Sequence, residues 1–173
     1  MANAAKLMSA PTVRMLLTGF PGSGKTGALA SLANAGFKLR IMDFDGNPES
    51  LLGFTRPEFL PNIDIVSLED ELHDMGNYIG TKGAPTAFSR GRRLLDRWRY
   101  EDADGELDEK TGKRYMDLGK PSEWGPDTIM VVDGMTGLSS ACMRRAQAAN
   151  NATPISMTQS VWGCAMQDEE GFI

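Results

Sequence analysis

The chain predicts an α/β domain built on a mostly parallel sheet. Three observations carry this expectation. An apolar run ending at Leu17 breaks into a glycine-rich loop and then a helix-forming segment, and residues 129–132 form a second apolar run that ends in Asp133. Between and after them, strand-like and helix-like segments alternate, the order that parallel sheets require. Strands of such sheets are buried on both faces and read as continuous apolar runs rather than as alternation.

The elements follow in chain order. Residues 1–12 hold one lysine and no sustained apolar stretch, which reads as a flexible leader and not a secretory signal. Residues 13–173 form the domain. Met15, Leu16 and Leu17, preceded by Val13, predict its first strand. Ala28, Leu29, Leu32 and Ala33 recur at helical spacing, and Gly36 stands where a left-handed cap closes a helix. Residues 38–44 predict a second strand, closed by the turn-forming Asp45-Gly46-Asn47-Pro48. Residues 63–66 predict a third, and residues 85–100 a helix with Phe88, Leu94, Leu95 and Trp98 as its apolar positions. Residues 101–122 are almost all polar, with Asp104-Gly105 and Thr111-Gly112 as turn signals, and are expected to form an exposed insertion, a loop or a hairpin. Residues 128–133 are the most strand-like run. Helices are expected over 136–149 and from Thr158 onward.

Bulk composition excludes more than it selects. With 173 residues, 41% hydrophobic and 24% charged, the chain is an ordinary single-domain length and composition. No apolar stretch approaches a membrane span, and a net charge of −5 argues against a broad basic face for duplex DNA. Cys142 and Cys164 stand outside metal-ligand spacing and are expected as buried thiols of a reducing, cytoplasmic compartment. His73, the one histidine, lies in a polar stretch and is expected to be exposed.

Residues 19–26 read Gly-Phe-Pro-Gly-Ser-Gly-Lys-Thr and satisfy G-x-x-x-x-G-K-[ST], the loop that wraps nucleotide phosphates. Gly19, Gly22 and Gly24 let backbone N–H groups converge on phosphate oxygens, with Phe20, Pro21 and Ser23 completing the loop. Lys25 supplies a mobile charge for the β- and γ-phosphates, Thr26 a hydroxyl for Mg²⁺, and the following helix its positive end. The expected ligands are therefore ATP and Mg²⁺. No guanine-reading Asn-Lys-x-Asp run is present.

Asp133, at the tip of its strand, is expected beside the metal held by Thr26. Gly134 follows it where many ATPases carry a glutamate that polarises the attacking water. Asp45, just past the second strand, is the candidate for that role. Asp43 is the neighbour weighed against it, and alternation points both to one face. The bland reading of Asp45 is that it opens the Asp-Gly turn.

With these residues in hand, the chain resembles RecA-like P-loop ATPases, and more closely the phage-encoded nucleotide-binding proteins among which are single-strand annealing recombinases. The resemblance runs through residues 19–26, 41–46 and 124–138. It implies a three-layer fold, catalytic roles for Lys25, Asp45 and Asp133, and a cytoplasmic setting, that of the host if phage-encoded. Asp45 stands where RecA has a glutamate, and Gly134 where the family commonly has serine. The resemblance also places a further strand between residues 15–17 and residues 129–132, supplied after the last helix. The sequence ends before it, so the expectation is a domain lacking its C-terminal strands, or a slot filled by another segment.

Three functions compete. The first is an ATPase of phage DNA metabolism that binds single-stranded DNA, supported by Arg90, Arg92, Arg93, Arg97 and Arg99 beside Trp98 and Tyr100. The bland reading of those arginines is a solvated face paired with the acidic segment that follows. The second is a nucleotide-dependent switch or assembly factor with weak hydrolysis and no DNA binding. The third, a small-molecule kinase, lacks a distinct basic lid. A homo-oligomer is compatible with any of them.

Overall fold

The computed structural model describes residues 15–20 and 22–172. Its centre is a three-stranded parallel sheet in the order β2-β1-β7, where β1 is Lys38–Asp43, β2 is Ile63–Ser67 and β7 is Thr128–Asp133. The register puts Asp43 of β1 opposite Asp133 of β7, so two carboxylates share the carboxyl edge.

Helices cover both faces of this sheet. On one, Leu39 and Ile41 of β1 pack with Ile63, Ile65, Ile129 and Val131 against α1 (Lys25–Asn34) and Leu51 of α2 (Glu49–Phe54). On the other, Met42, Phe44, Val66 and Leu68 join the apolar sides of α3 (Ala87–Asp96), α4 (Met135–Ala149) and α5 (Gln159–Glu170). Odd and even positions of β1 thus serve opposite cores, the two-sided burial that its unbroken apolar run predicts. Helix α4 presents Leu138, Ala141, Cys142 and Ala146 inward, the i, i+3, i+4, i+8 positions of one helix face.

Two hairpins leave the sheet. β3 (Leu72–Asp74) and β4 (Ile79–Thr81) form a short one that the sequence did not reveal. β5 (Arg99–Asp108) and β6 (Lys113–Asp117) form the polar insertion, a hairpin irregular between Glu101 and Glu106. It is fastened to the sheet by one carboxylate: Asp64 of β2 accepts the Trp98 Nε1–H and the Tyr100 hydroxyl, each at 2.6 Å. Burial and this bond push the Tyr100 hydroxyl well above its ordinary range. A second carboxylate, buried after the end of β2, ties two helices. Asp70 Oδ1 accepts the N–H groups of Thr86 and Ala87 at the start of α3, and its Oδ2 pairs with Arg144 of α4 at 3.0 Å.

Several expectations are corrected. Residues 15–17 form no strand; Met15, Leu16 and Leu17 are 68%, 75% and 43% exposed. A strand exists by pairing, and among the described residues none lies beside this run. Among the described residues β7 is paired with β1 alone; Leu16 and Leu17, not expected beside Val131 and Val132, do not pair with them. The helix expected over 85–100 stops at Asp96, because Arg97 turns extended (φ −151°, ψ 124°) and hands the chain to β5. Cys142 is buried, but Cys164 is exposed on the outer side of α5. His73 is exposed, as expected. No described helix is long and apolar enough to cross a membrane.

Candidate functional site

The glycine loop delivers its residues to the carboxyl edge of the sheet. Gly22 and Gly24 take positive φ values of 75° and 82°, which L side chains rarely adopt, and Gly24 caps α1 so that the helix opens at Lys25. Ser23 N–H donates to the Phe20 carbonyl and closes the turn. Lys25 Nζ reaches back over the loop and donates to the carbonyls of Gly19 and Phe20, both at 3.0 Å. The ammonium thus sits inside the curl of its own loop. Phe20 is 87% exposed. Pro21 lies outside the described residues, as do Val13 and residues 1–12.

Thr26 joins the loop to the second motif. Its Oγ1 donates to Asp133 Oδ2 at 3.0 Å, at the tip of β7. A hydroxyl and a carboxylate in contact at a phosphate loop are the two protein donors that a magnesium ion takes beside phosphate oxygens and water. Among the described residues no group of three or more His, Cys, Asp or Glu is arranged to hold a metal by itself.

The two remaining aspartates separate cleanly. Asp43 is 4% exposed, and its Oδ1 accepts the N–H groups of Asp45 and Gly46 at 3.0 and 2.8 Å. Through Oδ1 it holds the turn, and it is buried where Asp45 is exposed. The strand has already ended before Asp45, which frees that residue from strand alternation. Asp45 is exposed at the edge, close enough to Asp133, Asp43 and Lys25 to feel each charge. Desolvation, then Asp133 and Asp43, raise its carboxyl above the ordinary range, while the Gly137 N–H and Lys25 draw it down.

Gly134 now has a physical reason. Its φ is 86°, and a Cβ there would stand 2.5 Å from the Asp45 carboxyl carbon. The serine expected by resemblance does not fit this backbone. The signal was in the sequence as the Gly134/Gly137 spacing, but its partner was not.

Four of the five arginines of the cluster bond within the chain, and Arg93 is exposed on α3. Arg90 donates to the Ser67 carbonyl, Arg92 to that of Gly171, Arg97 chelates Asp117, and Arg99 pairs with Asp108 while lying 4.0 Å over the Tyr115 ring. Trp98 is fully buried and edge-on to Trp124.

The chain matches no protein-family model, no curated protein and no solved structure.

Proposed function

We propose that this protein binds Mg·ATP and hydrolyses it. The observation that carries the reading is the Thr26–Asp133 hydrogen bond, which joins a phosphate-loop hydroxyl to the strand-end carboxylate on the same edge as Lys25 and Asp45. Loop N–H groups and the start of α1 would cradle the phosphates, and Lys25 would exchange its two carbonyl partners for β- and γ-phosphate oxygens. Thr26 and Asp133 would hold Mg²⁺, which supplies charge neutralisation on those oxygens. Asp45 orients the attacking water; its raised affinity for a proton suits a group that must accept one.

Two settings for this activity differ in their partners. Single-strand annealing in phage DNA metabolism follows from the resemblance. A nucleotide-dependent switch or assembly factor without DNA binding is favoured by one observation: Trp98 is wholly buried with its N–H held by Asp64, leaving no face for a base. ATP turnover measured with and without single-stranded DNA separates them. Stimulation by DNA supports annealing, unchanged turnover supports the switch, and no turnover at any protein concentration refutes the ATPase.

A further inference from the structure

Gly134 and Gly137 stand at the start of α4, three residues apart and on one face. Both approach the same dipeptide. A Cβ on Gly134 would lie 2.5 Å from Asp45 Cγ and Oδ1 and 2.9 Å from Asp45 N. A Cβ on Gly137 would lie 2.3 Å from the Phe44 carbonyl oxygen and 2.9 Å from Asp45 Oδ1. Glycine inside a helix costs about 1 kcal/mol relative to alanine, so its presence at 137 calls for a reason of packing.

Phe44 cannot yield to make room. It is buried, its ring packs edge-on to Phe172 at 5.8 Å, and its N–H donates to the Asp133 carbonyl at 2.9 Å. The Gly137 N–H, at the positive end of α4, lies near enough to the Asp45 carboxylate to favour its charged form.

We propose that Gly134 and Gly137 are positioning residues for Asp45: their two missing Cβ atoms form a slot at the start of α4 that fixes this carboxylate beside Asp133. The proposal rests on the reading of Asp45 as the water-orienting group. A displacement of about 1 Å at such a group lowers turnover by roughly 100-fold.

Two substitutions test the slot by different routes. Gly134→Asn tolerates a left-handed backbone yet brings a Cβ, and Gly137→Ala favours the helix while bringing one. Each is made alone and with Asp45→Asn, and kcat and ATP affinity are measured. The expected result is a kcat lowered about 10–100-fold in each single variant, ATP affinity within about twofold of the parent, and less than about a twofold further change when Asp45 is already Asn. In the nucleotide-free protein, the Gly137 amide proton resonance should move upfield in Asp45→Asn and equally in Gly134→Asn. An additive cycle, or a Gly137 resonance that stays in place in either variant, overturns the slot while leaving the ATPase reading intact. A parent that turns over no ATP overturns that reading and the positioning role with it.

Discussion

Thr26 Oγ1 lies 3.0 Å from Asp133 Oδ2, although 107 residues separate them in sequence. This contact joins the glycine loop to the end of β7, a motif weak alone, and it sets the order in which substitutions should act. Asp133→Asn should impair Mg²⁺-dependent turnover more than nucleotide binding, because it lowers charge on the metal side and leaves the loop intact. Mg²⁺ titrations of turnover and of ATP affinity check this.

Asp45→Asn should slow hydrolysis roughly 100-fold or more with ATP affinity nearly unchanged, the signature of a group acting on water in the transition state. Single-turnover kinetics read it directly. Unaltered turnover would move the role to another carboxylate. Asp43, whose Oδ1 takes the Asp45 and Gly46 N–H groups, and Glu49 in the first turn of α2 are next in line.

Asp64→Ala should cost about 2–4 kcal/mol, because the Trp98 N–H and Tyr100 hydroxyl both lose their buried acceptor. Denaturant titration gives the value. In a Trp124→Phe, Trp162→Phe background, saturating single-stranded DNA should leave Trp98 emission unchanged; quenching would show that the hairpin opens to admit a base.

The elements that were legible in sequence are those whose burial is set by their own residues. β1, β7 and α4 each carry an apolar pattern that fixes type and bounds within a residue or two. Residues 15–17 carry the same kind of pattern, yet apolar character reports the capacity for burial and not the presence of a neighbour to pair with. The β3–β4 hairpin has three-residue strands, too short for a period, and only its Asp74–Gly76 turn could have marked it. Among the candidate residues, Thr26 and Asp133 were singled out by spacing and are in contact. The duties of Asp43 and Gly134 were not legible, since each depends on a contact made by the turn that follows β1. The pairing of Arg97 and Arg99 with the acidic segment was legible as the bland reading of the arginine run, whereas the Ser67 carbonyl that takes Arg90 was not.

Asp70→Ala should lower stability by about 2–4 kcal/mol, since it removes the acceptor at the start of α3 and leaves Arg144 without its carboxylate. The denaturant midpoint checks this. ATP affinity should persist in the folded fraction, as Asp70 touches none of the loop residues.

The cysteines give a test by pH. Burial pushes the Cys142 thiol up to about 11 from an ordinary value of 9.0, whereas Cys164 is exposed. One thiol per native chain should react quickly with a disulfide reagent at pH 8, and two after denaturation. Because the folded chain holds the Cys142 proton more tightly, its contribution to stability is intact below pH 9 and falls as pH rises from 9 towards 11.

The central claim is a nucleotide site built on Lys25. Equilibrium titration of the parent and of Lys25→Ala with a fluorescent ATP analogue in Mg²⁺ tests it most directly. The loop's one cation is gone in the variant, so saturable binding is expected in the parent and none that is measurable in Lys25→Ala, with both chains giving the same circular dichroism spectrum. Equal binding by the two proteins, or no binding by the parent, would contradict the assignment of residues 19–26 as a phosphate loop.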